Sequence, residues 1–429
     1  MMKILSFLLL LFILCRADQW ETFTTRNSGL ISDTVHVILI DSNGIKWFGT
    51  ERGLTGYNGQ IWKNFTTENG LVNNRINDLA IEENELEYTL WVATDGGVSS
   101  ATVSSIQDVS FGSFYTSSNS GLLSDSVRAV ALDPNMVKWF GTDQGVSMLS
   151  GQTWHQATSE DYLLSNLIKD IESDQTGLVH IATRGGGVSR LKLDEIDGIT
   201  TASTIVAIWS WLISDTILTI FIQNDNVKWF GCAEGAFRHV GIDSKMNWTV
   251  YQESNGLINN HVQAICQEKN GGVWFATHSG VSRLSADSIT SFTREDGLAS
   301  NNIFDIAVDI DDSIWFASDA GITNLSSVST ISKGKDIPYS FKLNNFPNPF
   351  NCGTVLQFQL PTPQKIEFSI YSLLGKTVSK ISQRFLPAGT HRVYWEAVDE
   401  NGQRLPSGVY FVVLSLSGRN IIHKVILLK

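Results

Sequence analysis

Apolar and polar residues alternate along this chain in short runs. Val35–Ile40, Ile45–Gly49 and Leu54–Tyr57 each span four to six residues, and Gly, Asn, Asp and Ser separate them. A period of two between turn residues predicts β-strands that bury one face. Runs of this kind follow one another to the C-terminus, so the pattern predicts an all-β protein.

The runs recur as a repeat. The string Lys46–Thr50 reads KWFGT, and its relatives place an aromatic ring at Trp47, Trp91, Trp139, His180, Trp229, Trp274 and Trp315, at intervals of 41 to 49 residues. That is the period of a four-stranded propeller blade. Two markers hold the register. A polar pair ends fourteen residues before the ring at Asp33, Asp125, Asn166, Asp215, Asn260 and Asn301; only Asn74 stands farther away, at seventeen. A glycine follows the ring by six residues at Gly53, Gly97, Gly145, Gly186, Gly235, Gly280 and Gly321. Such a frame predicts tight turns of positive φ or close backbone approach.

Seven units predict seven blades. Each has an inner strand, an aromatic strand, a third strand after the glycine, and an outer strand with a second Trp, as at Trp62, Trp154 and Trp248. The unit at residues 205–251 diverges most, with Ile205–Trp211 in place of the usual outer-strand pattern. The run Trp20–Thr25 is an outer strand with no blade of its own. It predicts closure of the ring against Gly321–Leu325, with Val328–Ser332 as the alternative closing strand.

These repeats resemble the two-component regulator propeller family over Trp20 to Leu325. The signature is an outer-strand Trp, an N-G-L loop, the polar pair, W-F-G-T and G-[LV]. Family members often form the periplasmic sensors of hybrid histidine kinases that respond to polysaccharide fragments. The resemblance therefore implies a ligand-binding propeller. No spanning helix or kinase segment accompanies it here, so it does not imply a signalling output.

After Leu325 the composition changes. Ser326–Lys335 reads as part of a linker over 326–343, and 344–429 returns to strand-like runs at Val355–Leu360, Ile366–Ser372, His391–Glu396 and Gly408–Leu416. About 90 residues of short strands predict an immunoglobulin-like β-sandwich. Pro347 to Asn351, Tyr371 to Gly375, Ala388 to Thr390, Trp395, Leu405 to Tyr410 and Lys424 to Lys429 resemble the type A sorting domain of the type IX (Por) secretion system. Cys352 departs from it by replacing a usual Pro. The resemblance implies type IX machinery as a partner, with secretion or attachment at the outer-membrane surface.

Composition narrows the partners. The net charge is −12 over 429 residues, which argues against nucleic acid. Lys3, the apolar run Ile4–Leu14 and Ala17 read as a signal peptide over residues 1–17, leaving 18–325 as the propeller. No later segment is apolar enough to span a membrane as a helix. Cys232, Cys266 and Cys352 give no disulfide framework and read as buried thiols, with a Cys232–Cys266 bridge as the alternative.

No catalytic or cofactor motif stands out, and no metal site or cofactor is expected. The glycine run from Arg184 to Gly187 sits in a blade turn, and Asp309 to Asp312 reads as an exposed turn rather than a calcium loop. Features kept in every blade, including the Trp rings and Thr50, Thr94, Thr142, Thr183 and Thr277, are expected to build the blade. Function is expected where the frame is kept and the residue varies. Four residues after the ring stand Glu51, Asp95, Asp143, Arg184, Ala233, His278 and Asp319. After the polar pair stand Thr34, Arg75, Ser126, Leu167, Thr216, His261 and Asn302. Both loops open on one propeller face, so Glu51, Asp95, Asp143, Arg184, His261, His278 and Asp319 form the expected site. Such a polar funnel suits a glycan or other polar ligand. Two alternatives remain. One is an enzyme resembling streptogramin lyases, with His261 and His278 beside Glu51 or Glu234. The other is a structural or protein-binding surface component.

Overall fold

The computed structural model describes residues 18–83, 87–194, 198–200, 205–206, 214–224, 227–241, 248–286, 288–327, 344–346, 350–351, 353–360, 364–373, 376–386, 389–399, 403–416 and 419–428. The expected signal peptide, Cys352, most of the linker, and the turns at 347–349, 374–375, 387–388 and 401–402 lie outside them. Contacts divide the chain into two units, residues 1–330 and 331–429.

In the first unit the repeat becomes seven antiparallel sheets among the described residues. Blade one shows the plan: Val35–Ile40, Lys46–Thr50, Gly53–Tyr57 and Trp62–Phe65, paired in that order. The inner strands of successive blades pack side by side in sequence order, and the seventh returns to the first. The ring is therefore closed.

Ring residues fill the space between blades. Trp47, Trp139, Trp229 and Trp274 are fully buried, and Phe48, Phe140, Phe230 and Phe275 beside them pack the opposite face of each sheet. His180, the exception to the aromatic frame, is equally buried. The rings are core, not sugar platforms. Truncating one to Ala would cost about 3–5 kcal/mol.

The last blade joins both ends of the unit. Asp18–Phe23 pairs with Gly321–Ser327, with Trp20 opposite Leu325 and Phe23 opposite Ile322, as the orphan strand predicts. Trp20 packs 5.5 Å from Phe292 of the neighbouring blade and 5.9 Å from Phe316. The divergent outer edge belongs to blade four, not blade five. Gly198–Thr200 and Ile205–Val206 both pair with Gly187–Asp194, whereas blade five has a regular outer strand at Trp248–Tyr251.

The second unit forms two sheets that pack as a sandwich. Asn344–Phe346, Thr354–Leu360 and Gly389–Trp395 make one. Gln364–Ser372, Thr377–Leu386, Gly408–Leu416 and Arg419–Leu427 make the other. Leu356, Phe358, Phe368, Ile370, Trp395, Val412 and Leu414 fill its core.

Candidate functional site

Two local devices fix one face of the propeller. The first is the polar pair. Its second member accepts an N–H from the loop that arrives from the preceding outer strand: Thr25 N to Asp33 (2.7 Å), Thr67 N to Asn74 (2.8 Å), Ser117 N to Asp125 (2.6 Å) and Arg294 N to Asn301 (2.7 Å). Its first member accepts the N–H two residues on, as Asn73 does from Arg75 and Asn259 from His261. These are the side-chain-to-backbone bonds that Asx and Ser residues make in turns.

The second device is the turn after the ring. The hydroxyls of Thr50, Thr94, Thr142 and Thr277 each donate to the carbonyl of the frame glycine three residues on, at 2.7–2.8 Å. Ser318 does the same, and Cys232 uses its thiol. Six frame glycines have φ between 120° and 141°. A Cβ at Gly53 would strike the carbonyl of Phe65. Blade four departs from the frame. Gly186 lacks positive φ, Gly185 and Gly187 have it, and Thr183 bonds the carbonyl of Gly187 at 3.0 Å. Its turn is one residue longer.

Backbone bonds then tie the two loops together. Glu51 N donates to Thr34 O (3.1 Å), Asp95 N to Arg75 O (3.4 Å) and Arg184 N to Leu167 O (2.8 Å). The two sets of variable residues thus stand side by side on one rim.

A further ring lies inside that rim. All seven inner strands carry a bulge after their first residue, at His36, Asn77, Arg128, Lys169, Leu218, Gln263 and Phe304. A bulged residue leaves the alternation of its strand and is re-aimed. Several of these side chains reach across to neighbouring blades. His36 packs 5.6 Å from Phe304, Asn77 donates to Val127 O (2.8 Å), and Gln263 donates to Ile303 O (2.8 Å). Sequence reasoning missed this ring. The available signal was a Val or Ile at every first position, followed by a residue of no fixed type.

The expected site residues fall into groups. Glu51 and Asp95 join through Arg75. Arg75 Nη1 lies 2.7 Å from both Glu51 oxygens, and its Nε lies 3.2 Å from Asp95. His36 Nε2 is 2.7 Å from Glu51, and Arg128 and Asn77 reach Asp95 at 3.0 and 2.8 Å. The His36 hydrogen bond, then Arg75, holds the Glu51 carboxyl below its ordinary range. His261 and His278 stack with ring centres 3.8 Å apart. Burial, then His278, lowers the pKa of His261. Asp319 accepts from Asn302 (3.2 Å). Asp143 and Arg184 are exposed, and neither side chain has a partner among the described residues. No group of three His, Cys, Asp or Glu able to hold a metal forms among those residues. Cys232 and Cys266 are both buried and unbridged.

Below the bulges, three carboxylates join blades at the hub. Asp78, Asp170 and Asp305 each accept from the N–H of the next residue. Each also accepts, at 2.7 Å, from an inner strand of the following blade: Val130 N, Ile220 N and Ile38 N respectively. The inner edge of a propeller sheet exposes such N–H groups, and these carboxylates satisfy them. At the opposite end of the hub a cavity of about 400 Å³ is lined by Leu39, Leu79, Ala131 and Glu172, among others.

Comparison with known proteins matches this architecture. Residues 344–428 match the secretion system C-terminal sorting domain, and residues 256–279 match the two component regulator propeller. No curated protein sequence matches. Among solved structures, the chain is similar to the extracellular domain of the hybrid two component system BT3049 from B. thetaiotaomicron. The identity is 18% and the TM-score 0.58, over 95% of this chain and 57% of that one. It is similar to PorZ, a surface component of the type-IX secretion system of Porphyromonas gingivalis, at 18% identity and TM-score 0.54, over 93% and 60%. Streptogramin B lyase matches at 15% and 0.53, over 72% and 97%. At these identities the likeness is one of fold. The chain spans less than two thirds of the length of the first two.

Proposed function

We propose that this protein, a two component regulator propeller carrying a secretion system C-terminal sorting domain, is a non-catalytic binding module for a glycan or other polar ligand. The sorting domain marks it for type IX export to the cell surface or the medium. The funnel face, on this reading, meets the ligand there.

One observation supports the reading most. On this face the residues kept in every blade are spent on backbone hydrogen bonds, and the variable residues form two concentric rings of mixed donors, acceptors and charges. Groups of that kind fix the orientation of a polar ligand in a concave site. Arg75 and Arg128 occupy Glu51 and Asp95, while Asp143, the His261–His278 pair and Arg184 keep unused capacity. A second reading, an enzyme like the streptogramin lyases, draws its support from the same histidine pair. Of the two acids it could use, Glu51 is engaged by His36 and Arg75, and Glu234 is exposed.

A glycan array probed with the full chain tests the proposal. Binding to one glycan class that is lost in His278→Ala at unchanged Tm supports it. Turnover of the bound glycan, lost in His261→Ala, selects the enzyme. An empty array combined with tight capture of a surface protein selects the structural component.

A further inference from the structure

We infer that the funnel recognises an oxyanion carried on its ligand (a carboxylate, sulfate or phosphate), seated where Arg128, Lys169 and Arg184 converge between blades three and four. The inference rests on the binding reading above and names the chemistry of that site.

The placement follows from the backbone. Arg128 and Lys169 occupy the bulges of adjacent inner strands, so both side chains are re-aimed at the hub mouth. Arg184 stands on the rim directly beside Lys169's strand. Its N–H is held by Leu167 O at 2.8 Å, and its carbonyl by the Ser165 hydroxyl at 2.9 Å. The rim loop cannot drift away from the inner strand without breaking both bonds.

The electrostatics of the three cations are unbalanced. Arg128 shares Asp95 with Arg75, 3.0 Å away. Lys169 and Arg184 have no acidic partner among the described residues, and the Asp143 carboxylate on the adjoining rim touches neither. The Lys169 ammonium is disfavoured by burial first, then by Arg184 and Arg128. A chain of net charge −12 has ample acid to pair with these groups, yet among the described residues it brings one carboxylate, Asp95, to Arg128 and none to Lys169 or Arg184. An anion entering the mouth relieves the repulsion among three cations. Two guanidinium groups can also grip it in bidentate fashion. The longer, glycine-rich turn of blade four leaves room: nothing lies within 4 Å of the position a Gly185 side chain would take.

Matched glycan pairs test this with the full chain. Hexagalacturonate is compared with its methyl ester, a carrageenan hexasaccharide with its desulfated form, and inorganic sulfate and phosphate are titrated alone. The expected result is that one acidic member binds at least about tenfold tighter than its neutral twin. The preference should weaken with salt and disappear in Lys169→Gln, with Arg184→Gln as a second variant on the exposed rim. Equal binding of acidic and neutral twins, unchanged in both variants, overturns the inference and leaves the binding reading standing. Inorganic sulfate or phosphate binding as tightly as the glycan overturns the glycan as carrier. Absence of binding by every neutral and acidic glycan takes down the binding reading itself.

Discussion

Asp78, Asp170, Asp305 and Glu172 show how much one residue type can do at a hub. Each Asp closes a blade junction with two backbone hydrogen bonds, yet burial raises the pKa of all three. Asp305 reaches about 7, and Glu172, next to Asp170 and Asp78, reaches about 8. The folded state therefore holds protons that the unfolded chain has released, and stability falls as pH rises from the ordinary carboxylate range through these values. Glu51, Asp174 and Glu268 shift the other way and act only below that range. Burial lowers the pKa of His180, His261 and His423, which opposes this trend only below the ordinary histidine value, so thermal melting should show a higher Tm at pH 7 than at pH 8.5. Glu172→Gln should raise Tm at pH 8.5 and leave it nearly unchanged at pH 5.5. A Tm that rises steadily from pH 7 to pH 8.5 would contradict the assignment. The sequence held these acids in plain view. Their burial was not legible, because an Asp at one strand position of three blades reads as an ordinary polar alternation.

At the scale of the element, the glycine turn and the bulge differ in how far they can be read. The turn announces itself, since Gly53 and its equivalents recur in one frame and no other residue is comfortable at φ near 120–140°. Gly321→Ala places a methyl group against the carbonyl of Phe23, the last residue of the closing strand. A loss of about 1–3 kcal/mol in denaturant unfolding is expected, from strain alone. An unchanged midpoint would show that the turn can relax. The bulge is hard to see in a single strand: Val35-His36-Val37 looks like unbroken alternation. Only the seven-fold comparison marks it. In the sandwich, Thr377–Leu386 escaped notice because its run is rich in Ser, Lys, Gln and Arg, as befits a strand at the edge of its sheet.

For the whole molecule, the period and the orphan strand together were enough to give seven blades and the route of closure. What they could not give was the division of the funnel into a self-satisfied half and an open half, since that depends on which charges the closed ring brings together. Two expected outcomes belong at this scale. Removing residues 18–25 unpairs Asp18–Phe23 from Gly321–Ser327 and takes Trp20 out of its contacts with Phe292 and Phe316. The propeller should lose cooperative unfolding or melt far lower; an intact Tm would mean that closure by the N-terminal strand is dispensable. Removing 344–429 should leave the propeller folded and retained in the periplasm, and normal surface display of the truncated protein would refute the role of the sorting domain.

The funnel face as the ligand site is most directly tested by a crystal structure of the full chain with the strongest glycan from the array. The predicted result is ligand density over the bulge ring, in contact with Lys169 and Arg184 or with the His261–His278 pair. Density confined to the opposite cavity beside Leu39 and Glu172, or to the sorting domain, would contradict it.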